Sequence, residues 1–251
     1  MARRATVVKQ QREAAKHFLL LEAGDSWYGE GQIGQRTQGK AVVEAMNQLG
    51  YDAMTLGELE FRLGLTELQA RMAEAAFPFL AANVVTEDGS QTFAEPYVIR
   101  EMEGHRVGIL GLVTPEADPL VRATTNGAYH VADPIATAKK YVGELSAQCD
   151  VLVVLSHLGV EQDQALAQQV PGIDIIVGGH SLKVLQPALR EPTTGTVILQ
   201  AGYRGEWVGY ALFHLDAQGT VTQFENEVIL LGPEVPDDPD MRLLLTSYVG
   251  E

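Results

Sequence analysis

The chain has 251 residues, of which 46% are apolar and 20% charged, a balance that suits a folded globular protein rather than a disordered one. Its net charge of −15 argues against a nucleic-acid partner, which needs a basic face, and no basic run exceeds two residues, as at Arg3-Arg4. The single cysteine, Cys149, excludes an intrachain disulfide and a thiolate zinc cluster, and its place beside an apolar strand predicts a small buried side chain. No apolar run reaches the roughly 20 residues of a membrane span.

In chain order, "MARRATVVKQQREAAKHF" has no uninterrupted apolar stretch behind its basic residues. It is expected to form an amphipathic helix, with Ala5, Val8, Ala15 and the stem of Arg12 on one side, rather than a signal peptide. "FLLLEAG" (18–24) is apolar without alternation, the pattern of a strand covered on both faces. Residues 37–50 show helical periodicity through Val42, Val43, Met46 and Leu49 and stop at Gly50. A short strand (51–57), a helix (66–75) with Thr66 as its N-cap, and a strand (77–85) follow. "YVIREMEGHRVGILGLV" (97–113) predicts a hairpin with His105 in a solvent-facing turn. Residues 133–149 form a helix capped by Asp133 with Pro134 at its first position. A buried strand (150–157), a helix (161–170) and a strand (173–180) come next. The end is antiparallel in character (196–202, 207–219 and 220–231), with a turn-rich acidic tail and a short or frayed helix. Strand–helix alternation with hairpins between implies two sheets with helices outside, an α/β layered sandwich in one domain.

Four polar residues share one placement, at the carboxyl end of an apolar strand and beside glycine: Asp25 in "EAGDS", Glu58 in "TLGELEF", His157 in "LSHLG" and His180 in "GGHSL". Ligands of open α/β sheets bind beyond those strand ends. Two imidazoles and two carboxylates there suit one divalent cation, Zn²⁺, Mn²⁺ or Fe²⁺. Each residue alone has a plainer reading, such as a cap for Asp25 or a hydrogen-bonded structural histidine. Asn83 is expected to bond loop backbone, Trp27 and Tyr28 to pack beside the site or line a pocket, and Arg204 to face the cleft and meet an anion. His130 and His214 stand in strand contexts without an evident partner.

The segments "LLLEAGDSWYGEGQ", "MNQLGYDAMTLGELEF", "FPFLAANV", "EGHRVGILGLVTPE", "CDVLVVLSHLG" and "DIIVGGHS" together resemble the calcineurin-like metallophosphoesterases, in their bacterial 5′-nucleotidase branch. The resemblance covers nearly the whole chain. It implies a four-layer α/β/β/α sandwich of two mixed sheets, and a two-metal site whose ions lie ~3.5–4 Å apart and drive an in-line displacement at phosphorus. On it, Asp25 matches the bridging aspartate, and His157 and His180 match histidines of the second metal. Glu58 stands at the asparagine of Gly-Asn-His-Glu, and Glu60 keeps that motif's acidic residue. Leu59 replaces the catalytic histidine and Leu182 a first-metal histidine, and the family's opening Asp-x-His strand and its C-terminal nucleotide-binding domain have no counterpart.

The resulting expectation is a degenerate 5′-nucleotidase-like domain, inactive or very weak as a two-metal phosphoesterase and retaining one metal on Asp25, Glu58, His157 and His180. The alternative is an active one-metal hydrolase of small phosphate esters; an incomplete piece of an active enzyme is disfavoured by Leu59 and Leu182. The missing strand would expose a sheet edge that a homodimer could cover. Neither nucleic acid nor membrane is expected as a partner. The chain as written would remain cytoplasmic, or be exported if an upstream region is missing.

Overall fold

The computed structural model describes residues 1–15, 17–27 and 32–249; the expectation for Tyr28 lies outside them. In chain order the elements are α1 (Ala2–Ala14), β1 (Leu21–Glu22), α2 (Gln32–Arg36), α3 (Lys40–Leu49), β2 (Ala53–Thr55), α4 (Glu58–Phe61), α5 (Leu65–Glu74), β3 (Phe79–Leu80) and β4 (Val84–Val85). Then come β5 (Tyr97–Met102), β6 (His105–Val113), a 3-10 turn (Pro115–Ala117), α6 (Asp118–Thr124), β7 (His130–Val131), α7 (Pro134–Leu145), β8 (Val151–His157) and α8 (Val160–Gln169). The chain closes with β9 (Ile175–Gly178), β10 (Leu189–Arg190), β11 (Val197–Gln200), β12 (Trp207–Leu215), β13 (Val221–Leu230) and α9 (Pro239–Val249).

Two sheets face each other. A three-stranded sheet in the order β1-β2-β3 is parallel throughout, and a six-stranded sheet in the order β10-β11-β9-β8-β6-β5 is mixed, with antiparallel strands at both edges. Only the larger sheet therefore has the mixed character expected of both. Strand β8 shows why its run is apolar without alternation. Val151, Val153 and Leu155 meet Ala53, Leu80 and Ile109 between the sheets. Leu152 and Val154 point the other way, into a cluster with Tyr141 and Leu145 of α7 and Leu166 of α8. With period-2 side chains and both faces covered, every position is buried. On the outside of the smaller sheet, Ala5 and Val8 of α1, Met46 of α3, Leu68 of α5 and Met241 of α9 join Met54 and Phe79 in one core cluster. Helices, sheet, sheet and helices make the four-layer α/β/β/α sandwich.

Local signals account for most boundaries. Gly50 ends α3 in the left-handed conformation (φ 67°), and the Asp133 carboxylate accepts the Ala136 N–H at 2.7 Å to start α7. The hairpin β5–β6 turns through Glu103 and Gly104, so His105 opens a strand rather than sitting in the turn. Other expectations are corrected. Helix α5 starts one residue before Thr66, with Gly64 as its cap, because Leu65 and Thr66 already take up the first turn. The run 77–85 divides into β3 and β4, which belong to different sheets. The short or frayed helix expected after the acidic tail is the 11-residue α9, anchored by Met241 and by Asp238, whose carboxylate accepts the Met241 N–H and pairs with Lys9. Ala15 is the extended C-cap of α1 rather than part of its buried side, and Arg12 donates to the Leu49 and Gly50 carbonyls at the end of α3. Cys149 is partly buried, and desolvation raises its thiol pKa.

Among the described residues, β1 pairs on one side only, with β2. No helix is long and apolar enough to cross a membrane.

Candidate metal centre

Parallel pairing of β1 with β2, of β6 with β8 and of β8 with β9 puts five strand ends on one rim. Asp25 follows β1, Glu58 follows β2, Glu116 follows β6, His157 ends β8 and His180 follows β9. The structure brings the four sequence candidates together. Glu58 Oε2 lies 3.0 Å from His157 Nε2 and 3.5 Å from His180 Nδ1, while Asp25 Oδ2 lies 3.4 Å from His157 Nε2. Glu58, His157 and His180 each offer a ligand atom within 4.8 Å of the others.

The donor chemistry fits a divalent cation. His157 donates its Nδ1–H to the Ala23 carbonyl at 2.5 Å, which leaves Nε2 facing the two carboxylates, where it would offer a lone pair to a cation on losing its proton. His180 faces Glu58 through Nδ1, with its Nε2 3.3 Å from Glu116. The rings meet edge to face at 5.2 Å. Gly57 allows the close approach, because a Cβ there would overlap Asp25 Oδ1 and lie 2.8 Å from His157 Nε2. The His180 turn is held from beneath: Ser181 Oγ donates to Gln200 and accepts the Val160 N–H, and Gln200 donates to the Gly179 carbonyl.

Electrostatics in this metal-free arrangement follow from the same contacts. Burial by itself would lower the His157 pKa, but hydrogen bonds to Asp25 and Glu58 outweigh it and raise it to about 10. Burial opposes ionisation of Glu58, yet the hydrogen bonds from His157 and His180 hold it well below the usual carboxylate range. The hydrogen bond to Glu58 raises His180 against desolvation. One proton on an imidazole thus lies between converging carboxylates, where a cation would replace it.

Two site residues, Glu116 and Asp163, escaped sequence reasoning, and Glu60 was legible only as a motif residue without its backbone partners. Glu116 obeys the same strand-end rule as the four candidates, two residues beyond "LVT" rather than beside a glycine. Glu60 is fully buried and bonded only to backbone N–H groups, which leave no side-chain pattern to read. Asp163 is buried beneath the rim and accepts from Ser156 Oγ at 2.5 Å, and burial pushes its carboxyl up to about 7. Other expectations come out plainly. Trp27 is fully buried, edge-on to Phe79 at 4.8 Å, so it packs rather than lines a pocket. Asn83 is also buried; its amide donates to the Val113 and Ala132 carbonyls and its oxygen accepts the Val113 N–H, fastening the end of β6. Arg204 lies over the Tyr203 ring. His130 sits in β7, 3.9 Å from Glu87, and His214 is exposed on β12.

A layered α/β sandwich presenting imidazoles and carboxylates at its strand ends is an architecture suited to a divalent-metal site of the kind metallohydrolases use. Comparison narrows this class. The chain is 33% identical over 270 residues to the 5′-nucleotidase of Bos taurus, covering 99% of this chain and 46% of that protein. The crystal structure of a 5′-nucleotidase precursor from Thermus thermophilus superposes with a TM-score of 0.84 at 31% identity, over 99% of this chain and 52% of that one. The calcineurin-like phosphoesterase YfkN from Bacillus subtilis gives 0.84 at 25% identity, over 99% and 86%. No family model matches. The chain belongs to the calcineurin-like metallophosphoesterase superfamily, in its 5′-nucleotidase branch. It spans about half the length of the 5′-nucleotidases it matches.

Proposed function

We propose that this domain holds one divalent cation on Asp25, Glu58, His157 and His180, binds small phosphate esters there, and hydrolyses them far more slowly than a two-metal phosphoesterase, or not at all. The observation that carries the reading is the position of Glu58 Oε2 between His157 Nε2 and His180 Nδ1, at 3.0 and 3.5 Å, with Asp25 closing the group from β1. Mixed nitrogen and oxygen donors suit Mn²⁺, Zn²⁺ or Fe²⁺. Such a cation, when bound, supplies Lewis-acid polarisation of a phosphoryl oxygen.

Weak turnover is supported by what surrounds the group. Leu59 stands at the family's catalytic-histidine position; its backbone N–H serves Asp25 Oδ1, and its side chain offers no proton. Leu182, at a first-metal histidine position, is 59% exposed. Loss of proton transfer and of one cation removes two contributions that each typically amount to about 10²–10⁴ in rate. The 5′-nucleotidase relatives make a nucleotide monophosphate or a simpler ester the natural candidate ligand.

The test is hydrolysis of a generic aryl phosphate with Mn²⁺ added. The proposal expects turnover at or barely above that of Asp25→Ala. Substantial turnover that Asp25→Ala abolishes would instead establish an active one-metal hydrolase.

A further inference from the structure

Glu60 carries a carboxylate with no solvent exposure, an expensive burial unless its lone pairs are satisfied. They are satisfied entirely by backbone. Oε2 accepts the N–H groups of Asp25 at 2.9 Å and Gly57 at 2.8 Å, and Oε1 those of Ser26 at 2.8 Å and Trp27 at 3.2 Å. The bond to Gly57 is the N3-to-N-cap half of a capping box on α4. The other three bonds cross to the turn after β1. The contact is reciprocal, because Asp25 Oδ1 accepts the Leu59 N–H at 2.8 Å. Two loops from adjacent parallel strands are therefore locked to each other by two carboxylates. Asp25 needs such a lock, since it sits at φ 61°, a conformation unfavourable for any residue with a side chain.

We infer that Glu60 is a positioning residue: by gathering the amides of 25, 26, 27 and 57 it holds Asp25 in its left-handed turn, so that Oδ2 faces His157 and the cation site. The neighbouring residue, Leu59, has nothing for Glu60 to orient, so its buried carboxyl group acts on the turn instead. Only a carboxylate offers acceptors at both ends; an amide of the same shape would turn N–H donors toward two of the four amides. The functional half rests on the metal-binding reading above, while the structural half stands without it.

Glu60→Gln in the full chain tests both halves. Amide hydrogen exchange of the metal-free protein should show residues 25, 26, 27 and 57 losing protection at least about tenfold, with β8 unaffected. Titration with Mn²⁺ should show affinity weakened about 10–100-fold, as for other supports of metal ligands, with Glu60→Asp in between. Unchanged exchange at those amides overturns the inference, and so does lost protection with wild-type Mn²⁺ affinity, which would leave Glu60 a structural anchor only. Absence of Mn²⁺ binding by the wild type overturns the metal-binding reading, and exchange then decides the structural half alone. If Glu60→Gln does not fold, exchange in the wild type decides: the four amides as slow as β8 support the lock, and open-loop rates contradict it.

Discussion

Gly57 shows how little room the centre has. A methyl group there would overlap Asp25 Oδ1 and crowd His157 Nε2, so Gly57→Ala has to displace one or the other. The expected cost is about 1–3 kcal/mol of stability, together with lost Mn²⁺ binding, read by thermal melting and calorimetric titration. His157 gives a pH dependence whose sign is fixed. Its folded pKa of about 10 lies above its ordinary 6.5, so in the metal-free chain its stabilisation is complete below 6.5 and is lost as pH rises through about 10. A cation competes with that proton, so apparent Mn²⁺ affinity should rise over the same window, by up to about tenfold per pH unit for one proton released. Titrations at several pH values check this; a flat profile would mean that His157 is not a ligand. At this scale the sequence was readable where a polar residue follows an apolar strand beside glycine, as with Asp25, Glu58, His157 and His180. Glu60 was visible only as a retained motif residue. Its partners are amides 33–35 positions away as well as the nearby Gly57, and backbone donors are the same in every sequence.

Elements were legible in proportion to their burial and length. Strand β8, buried at every position, announces itself as an unbroken apolar run, and α7 is marked by Asp133-Pro134. The two-residue strands β1, β3 and β4 leave no periodicity to measure, which is why 77–85 looked like one strand although tertiary pairing divides it between two sheets. Helix α9 was legible only as a short or frayed helix after the Pro- and Asp-rich segment; part of its anchor, the pairing of Asp238 with Lys9, joins residues far apart in sequence. The meeting of the two sheets is tight at Gly111 of β6, where an added Cβ would overlap Leu80 and lie 2.7 Å from its carbonyl carbon. Gly111→Ala should therefore destabilise the sandwich by about 1–3 kcal/mol without changing Mn²⁺ affinity in the remaining folded protein. Chemical denaturation with parallel titration measures both, and wild-type stability would show that the sheets can separate locally.

For the whole molecule, the arrangement of layers does the chemistry's positioning. Parallel strands in both sheets end on one rim, and the inter-sheet core of Ala53, Leu80, Ile109, Val153 and Leu155 fixes the two halves of the rim against each other. Asp25 and Glu58 come from the smaller sheet and His157 and His180 from the larger, so the site exists only when the sandwich is assembled. Binding of a cation should accordingly stabilise the fold as a unit. The central claim is that this rim holds one cation where the family holds two. Metal content per chain after saturation with Mn²⁺ and removal of excess, compared between wild type and His157→Ala, tests it most directly. The account predicts one equivalent in the wild type and none in the variant; two equivalents, or none in the wild type, would contradict it.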